Sequence, residues 1–225
     1  MADVVEDILE RERTFHDRWA ASIDVDGISV RDYFEASTAP ENRFILGQLG
    51  DLEGKTMLDI GCGAGENSVY FAIRGARCTA TDYSPGMVEK ALDLARANGV
   101  EIEGKTMDAM ALDAPDNTYD FVYAANLLHH LPDPMVLWSE ARRLGRRGAA
   151  IYVMDLMRPE SREAAHNVVE TVARDELPIL KADFYASLCA AFTLEEAKAQ
   201  VKQSRLPLEV TQVSDRHMVI KGLLP

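Results

Sequence analysis

Cysteine is scarce: Cys62, Cys78 and Cys189 are the only three in 225 residues. An odd number without metal-ligand spacing argues against a disulfide framework and a metal site, and fits a reducing compartment. Cys62 and Cys78 fall in strand or turn contexts where small thiols are commonly buried. Positive charge is also in short supply, with 24 Lys and Arg against 37 Asp and Glu and a formal net charge of -13. Such a chain repels phosphate backbones. Its densest basic cluster, Arg142, Arg143, Arg146 and Arg147, sits near a predicted helix end where cations suit the helix dipole. A nucleic-acid partner is therefore not expected. No apolar run approaches the ~18 residues of a membrane span, and Met1-Ala2-Asp3-Val4-Val5-Glu6-Asp7 is acidic where a signal peptide is basic. The expectation is a soluble, cytoplasmic protein with no membrane contact.

What is present is enough for a sizeable core, since 47% of the residues are hydrophobic, and the length suits one α/β domain. The stretch Thr56-Met57-Leu58-Asp59-Ile60-Gly61-Cys62-Gly63-Ala64-Gly65 organises the chain. An apolar run stops at three alternating glycines, and Glu66 to Arg74 then follows a helical pattern. This is a strand, a tight turn and a helix. Glycine belongs where the backbone takes positive φ or must let a ligand approach without a Cβ in the way. A second apolar run, Ala76 to Ala80, leads to Asp82, seventeen residues after Gly65. An acid at that strand end is placed to accept hydrogen bonds from ribose hydroxyls.

A dinucleotide fingerprint asks for glycine three residues after Gly63, where Glu66 stands instead. Asp59-x-Gly61-x-Gly63-x-Gly65 with Asp82 resembles the S-adenosylmethionine (SAM) site of class I methyltransferases acting on small molecules. The resemblance spans roughly Lys55 to Leu224 and is strongest up to Asp133. It implies a doubly wound, seven-stranded, mostly parallel α/β sheet with a C-terminal antiparallel hairpin and an N-terminal helical lid. It also implies SAM as cofactor, held by Asp59, Gly61, Gly63, Gly65, Asp82, Tyr83, Met87, Asp108, Ala109 and Asn126. Asp108 corresponds to the acid that accepts from the adenine amino group. The division expected is a lid over 1–50, a cofactor-binding core over 51–158, a helical acceptor-side segment over 159–206 and a hairpin over 207–225, all in one domain.

Along the chain, Val4, Val5, Ile8, Leu9, Phe15 and Trp19 fall mostly at helical spacing. Ser29 to Ala36 predicts a short helix with Val30, Tyr33 and Phe34 inward, and Thr38 with Glu41 reads as a capping box for a helix through Leu49. Trp19 and Tyr33 are expected in the core. A lid over the cofactor and plain packing on the sheet edge are equal alternatives for these helices. Ser84-Pro85 opens a helix to Asn98, Val100 to Met107 is a third strand, Tyr119 to Asn126 a fourth and Ala149 to Met154 a fifth. Pro178 is expected to help end a helix striped by Ala164, Ala165, Val168, Val169 and Val172. Thr193 and Glu196 make a second capping box, and the three residues between Leu208–Val213 and His217–Lys221 allow only a hairpin.

The fourth strand runs into Leu127-Leu128-His129-His130-Leu131-Pro132-Asp133, at the sheet edge where ligands sit in such folds. His129, His130 and Asp155 are the acid/base candidates, for a protonated oxygen or nitrogen acceptor needs a base and a thiolate or carboxylate does not. Adjacent residues should point in different directions, so one histidine faces the acceptor; His130 is assigned that place and His129 a structural one. The acceptor atom and the oligomeric state are not legible. Rival readings are a SAM-using enzyme of another type, such as a cyclisation releasing methylthioadenosine, and a non-catalytic SAM-binding protein. A cysteine-based arsenic methylation is disfavoured by the absence of cysteine before Gly50 and between Asp155 and Ser187.

Overall fold

A computed structural model describes residues 2–37 and 39–225, and the side chains within them except those of residues 2–9 and 11. Among the described residues the elements run α1 (Ala2–Ser22), α2 (Val30–Glu35), α3 (Pro40–Leu46), β1 (Thr56–Ile60), α4 (Glu66–Ile73), β2 (Arg77–Asp82), α5 (Pro85–Ala97), β3 (Glu103–Thr106), β4 (Tyr119–Ala125), α6 (Met135–Leu144), β5 (Gly145–Leu156), α7 (Arg162–Val172), α8 (Pro178–Ala190), α9 (Leu194–Ser204), β6 (Leu208–Gln212) and β7 (His217–Leu223). The strands form one seven-stranded sheet in the order β3-β2-β1-β4-β5-β7-β6. The first five pair in parallel, and β7 runs antiparallel between β5 and β6. The chain is thus doubly wound, and its strand order reverses direction between β1 and β4, the place where such sheets open a crevice.

Each central strand is apolar on both faces because helices cover both. Leu58, Ile60, Val122, Ala124, Ile151 and Val153 pack with Leu137, Trp138 and Leu144 of α6. Met57, Phe121, Tyr123, Tyr152 and Met154 pack on the other side with Phe34 of α2 and Val69, Tyr70 and Phe71 of α4. Phe34 stacks on Tyr70 with ring centroids 4.2 Å apart, which fastens the leading helices to the sheet.

Several local expectations need correction. Tyr33 and Trp19 are not core residues: they are 40% and 39% exposed. Val30 and Phe34 alone make the inward face of α2. Thr38 lies outside the described residues; α3 starts at Pro40 with no side-chain cap at Ala39 and ends at Leu46. Pro178 opens α8 instead of closing α7, which suits a residue whose missing N–H costs nothing in a first turn. Strand β3 is only four residues long, and β5 begins at Gly145 and reaches Leu156, so Asp155 lies inside a strand. The capping box of Thr193 with Glu196 and the Ser84 cap on Met87 N are both formed.

Candidate functional site

The turn after β1 is built by its glycines. Gly63 has φ +53° and Gly65 φ +91°. A Cβ on Gly65 would lie 2.5 Å from the Ala91 Cβ, so the absence of a side chain lets the start of α4 press on α5. A Cβ on Gly63 would meet nothing within 4 Å. That open face is where a ligand can lie against bare backbone. The Gly63 N–H donates to Asp82 Oδ2 at 3.0 Å, and the Ser84 N–H donates to Asp82 Oδ1 at 2.9 Å. Asp82 therefore ties the glycine turn to the first turn of α5. Burial raises its carboxyl above the usual range, opposed by these two donors.

Asp59 lies under the turn, fully buried within β1. Its Oδ2 accepts from the Ser68 hydroxyl at 2.7 Å, while Oδ1 has no hydrogen-bond partner among the described residues. Burial pushes its carboxyl up to about 7 despite the Ser68 bond, and the neighbouring Asp82 and Glu66 add to the rise. An unpaired buried acceptor beside two further acids suits a cationic donor. The ammonium of an amino-acid ligand is one, so the residues present fit SAM with its amino-acid end toward this turn.

The other predicted cofactor residues line the same carboxyl edge of the sheet. Tyr83 is half-buried directly after Asp82, and Met87 is buried in the first turn of α5. Asp108 Oδ1 accepts from Met110 N at 2.8 Å in the loop after β3, and half-buried Ala109 packs against the main core. Asn126 directly follows β4 with φ +52° and donates its N–H to Met154 O at 2.8 Å. Gly61 has φ +72°, and an added Cβ would meet Leu127 at 3.0 Å.

The two histidines sit on a single 3-10 turn, Leu128–His130, just past β4. Their rings do not diverge: they lie 4.1 Å apart between centroids at 38°. The turn sets the two rings side by side, yet each meets a different partner. His129 Nδ1 lies 2.5 Å from Asp155 Oδ1 in a buried pair. Asp155 Oδ1 also accepts from Leu156 N at 2.6 Å and Oδ2 from His129 N at 3.3 Å. His129 Nε2 is buried without a partner among the described residues. His130 instead faces α1: its Nδ1 is 3.5 Å from Glu12 Oε2. Burial, with a smaller push from the neighbouring His129, lowers its pKa to about 4 against the opposing pull of Glu12.

Helix α1 supplies residues that the apolar pattern did not single out. Glu12 and His16 lie 3.7 Å apart on the face toward His130, with His16 and His130 centroids 6.3 Å apart. Asp17 Oδ1 accepts from the Ser84 hydroxyl at 2.5 Å and from Gly86 N at 3.1 Å, docking the helix on the N-terminus of α5. The usable signal was polar: Glu12 is followed by His16 and Asp17 at i+4 and i+5, on one side of the helix. Among the described residues no group of three or more His, Cys, Asp or Glu is placed to hold a metal ion. Nor is any helix long and apolar enough to cross a membrane.

Residues 58–153 match a family model described as a methyltransferase domain. The 27-O-demethylrifamycin SV methyltransferase of Amycolatopsis mediterranei (strain S699) is 30% identical over 174 residues, covering 74% of this chain and 63% of that protein. A ubiquinone biosynthesis O-methyltransferase of Nitrosomonas europaea is 34% identical over 116 residues, covering 49% of this chain and 47% of its own length. The chain thus spans less than two thirds of either relative. Among solved structures, a SAM-dependent methyltransferase from Aquifex aeolicus superimposes with a TM-score of 0.65 at 20% identity, covering 91% of this chain and all of that one. Residues 58–153 thus resemble a methyltransferase domain, the fold is that of solved SAM-dependent methyltransferases, and SAM is the cofactor that the glycine turn and Asp82 suit.

Proposed function

We propose that this protein transfers the methyl group of SAM to a hydroxyl oxygen of a small molecule, with His129 as the general base and Asp155 as its orienting partner. The observation that carries this reading is the buried His129–Asp155 pair with Nε2 left unpaired. A carboxylate accepting from Nδ1–H fixes the tautomer, so the Nε2 lone pair is the one offered to a substrate proton. His130, held to about 4, stays neutral near pH 7, and so no second cation beside His129 opposes proton uptake there. When bound, SAM supplies an electrophilic methyl carbon on a sulfonium that leaves as S-adenosylhomocysteine. The chain's own work is alignment and proton removal: Asp82 and the open Gly63 face hold the cofactor, α1 excludes water, and His129 takes the hydroxyl proton as the oxygen attacks. The two O-methyltransferase and methyltransferase relatives support an oxygen acceptor.

The test is incubation with methyl-labelled SAM and a panel of hydroxyl compounds, reading both products by mass. S-adenosylhomocysteine with a methyl ether is expected, and His129→Ala should slow turnover by roughly a hundredfold or more with SAM affinity within a few fold. Methylthioadenosine as the product would replace methyl transfer with a cyclisation, and parental turnover in His129→Ala would remove the base.

A further inference from the structure

Glu12 and His16 are one helical turn apart on α1, and the helix delivers both to the histidine turn after β4. Glu12 Oε2 lies 3.5 Å from His130 Nδ1 and 3.7 Å from His16 Nε2. His130 in turn lies against His129, with ring centroids 4.1 Å apart. A second carboxylate–imidazole pair, Glu12 with His130, is thus set beside the first, Asp155 with His129. The methyl-transfer reading uses only the first pair and gives the acid at position 12 no task.

Resting on that reading, we infer that Glu12 is a positioning residue for the reaction: docking of α1 brings its carboxylate up to His130, where its charge favours the proton that His129 takes from the acceptor. The reasoning is one of sign and distance. His129 becomes a cation as it takes a proton, and a fixed negative charge nearby lowers the cost of that cation. Glu12 stays ionised, because His16 first, and then His130 and His129, hold its carboxyl below the ordinary carboxylate range against the effect of burial. His130 is neutral near pH 7 and so does not cancel the charge. The other groups that face this cluster are Asp155 of β5, Asp183 of α8, His16 of α1 and, toward His16, Asp82 of β2. Asp155 already holds Nδ1 of His129, and Asp183 adds the same sign from α8. His16 works the other way. Burial disfavours its proton, yet Glu12, Asp82 and Asp183 hold it above the ordinary imidazole value, and as a cation it offsets part of the Glu12 charge. The Glu12 side chain is 41% exposed, so water screens it. The expected effect is therefore about half a pH unit, not the roughly 1 to 3 units of a close, shielded pair.

The test is a pH titration of the full chain carrying nitrogen-15 histidine, with ring-nitrogen shifts read by NMR and His129→Gln and His130→Gln used to assign the signals. Glu12→Gln keeps the size and a hydrogen-bond acceptor and removes the charge. In it His129 should take its proton at least about half a pH unit lower than in the parent, a roughly threefold loss of occupancy at a given pH on the alkaline side. Glu12→Asp keeps the charge and should return most of the difference. Hydrogen exchange across residues 10–22 should stay within about threefold of the parent in Glu12→Gln, since Asp17 still holds the helix. An unchanged His129 titration in Glu12→Gln overturns the inference. So does a shift that comes with loosening of α1, for Glu12 is then a latch and its charge is incidental. No turnover enters these readings, so a failure of the base assignment shows separately, as parental turnover in His129→Ala.

Discussion

Asp155 does its work through three acceptor contacts, to His129 Nδ1, His129 N and Leu156 N. Asp155→Asn keeps the shape but can place an N–H against Nδ1, reversing the tautomer and turning Nε2 into a donor. Turnover should then fall by roughly a hundredfold or more while SAM affinity holds, measured as kcat against the dissociation constant. Asp82 stands differently, because its two oxygens hold both the glycine turn and the α5 cap. Asp82→Ala should weaken SAM binding at least tenfold by calorimetry and also lower the urea midpoint, each lost charge-assisted bond contributing on the order of 1.5 to 3 kcal/mol. A variant that loses stability yet binds SAM as before would show Asp82 to be a structural brace only.

At the scale of elements, the described side chains give α1 polar anchors: Asp17 on Ser84 and Gly86 and Glu12 at His130, with Lys90 Nζ donating to Ile23 O just past the helix at 2.9 Å. Asp17→Ala removes both contacts with the α5 N-terminus. Hydrogen exchange across residues 10–22 should speed up at least tenfold in that variant, with the sheet unchanged. Helices with their own caps and stripes, α5 and α9, were legible in the sequence because Ser84-Pro85 and Thr193 with Glu196 are local signals. The glycine turn and the C-terminal hairpin were legible for the same reason: spacing alone restricts them. What was not legible is long-range. Nothing local in Met154-Asp155-Leu156 shows that Asp155 will meet His129, twenty-six residues away, and neither Glu12 nor His16 announces a partner near β4. Trp19 and Tyr33 were misplaced in the core because hydrophobicity states a cost of exposure without stating what bears it.

For the whole molecule, the acidic balance of -13 makes pH the variable that matters, and two buried groups pull stability in opposite directions. His130 titrates at about 4 in the fold against an ordinary value near ~6.5, so the unfolded chain binds the extra proton as pH falls between them. Its contribution is present above ~6.5 and is lost as pH drops toward 4. Asp59 is the reverse: raised to about 7 against an ordinary ~3.9, it is protonated in the fold and charged in the unfolded chain between those values. Its contribution is present below ~3.9 and is lost as pH climbs through 7. Across roughly pH 4.5 to 6.5 the two slopes oppose each other within one sheet edge. Removing either should therefore tilt the curve by a predictable sign. Relative to the parent, His130→Gln should lose the part that rises with pH, so its urea midpoint falls more steeply, or rises less, from pH 4.5 to 6.5. Asp59→Asn should tilt the other way. Parallel curves for parent and both variants would mean that burial costs these two groups nothing, and would return Asp59 Oδ1 to solvent. The same titration bears on cofactor binding. A cation seated beside Asp59 lowers its pKa, so SAM binding near pH 7 should release a fraction of a proton, read as a calorimetric heat that differs between phosphate and Tris buffers and loses that difference in Asp59→Asn.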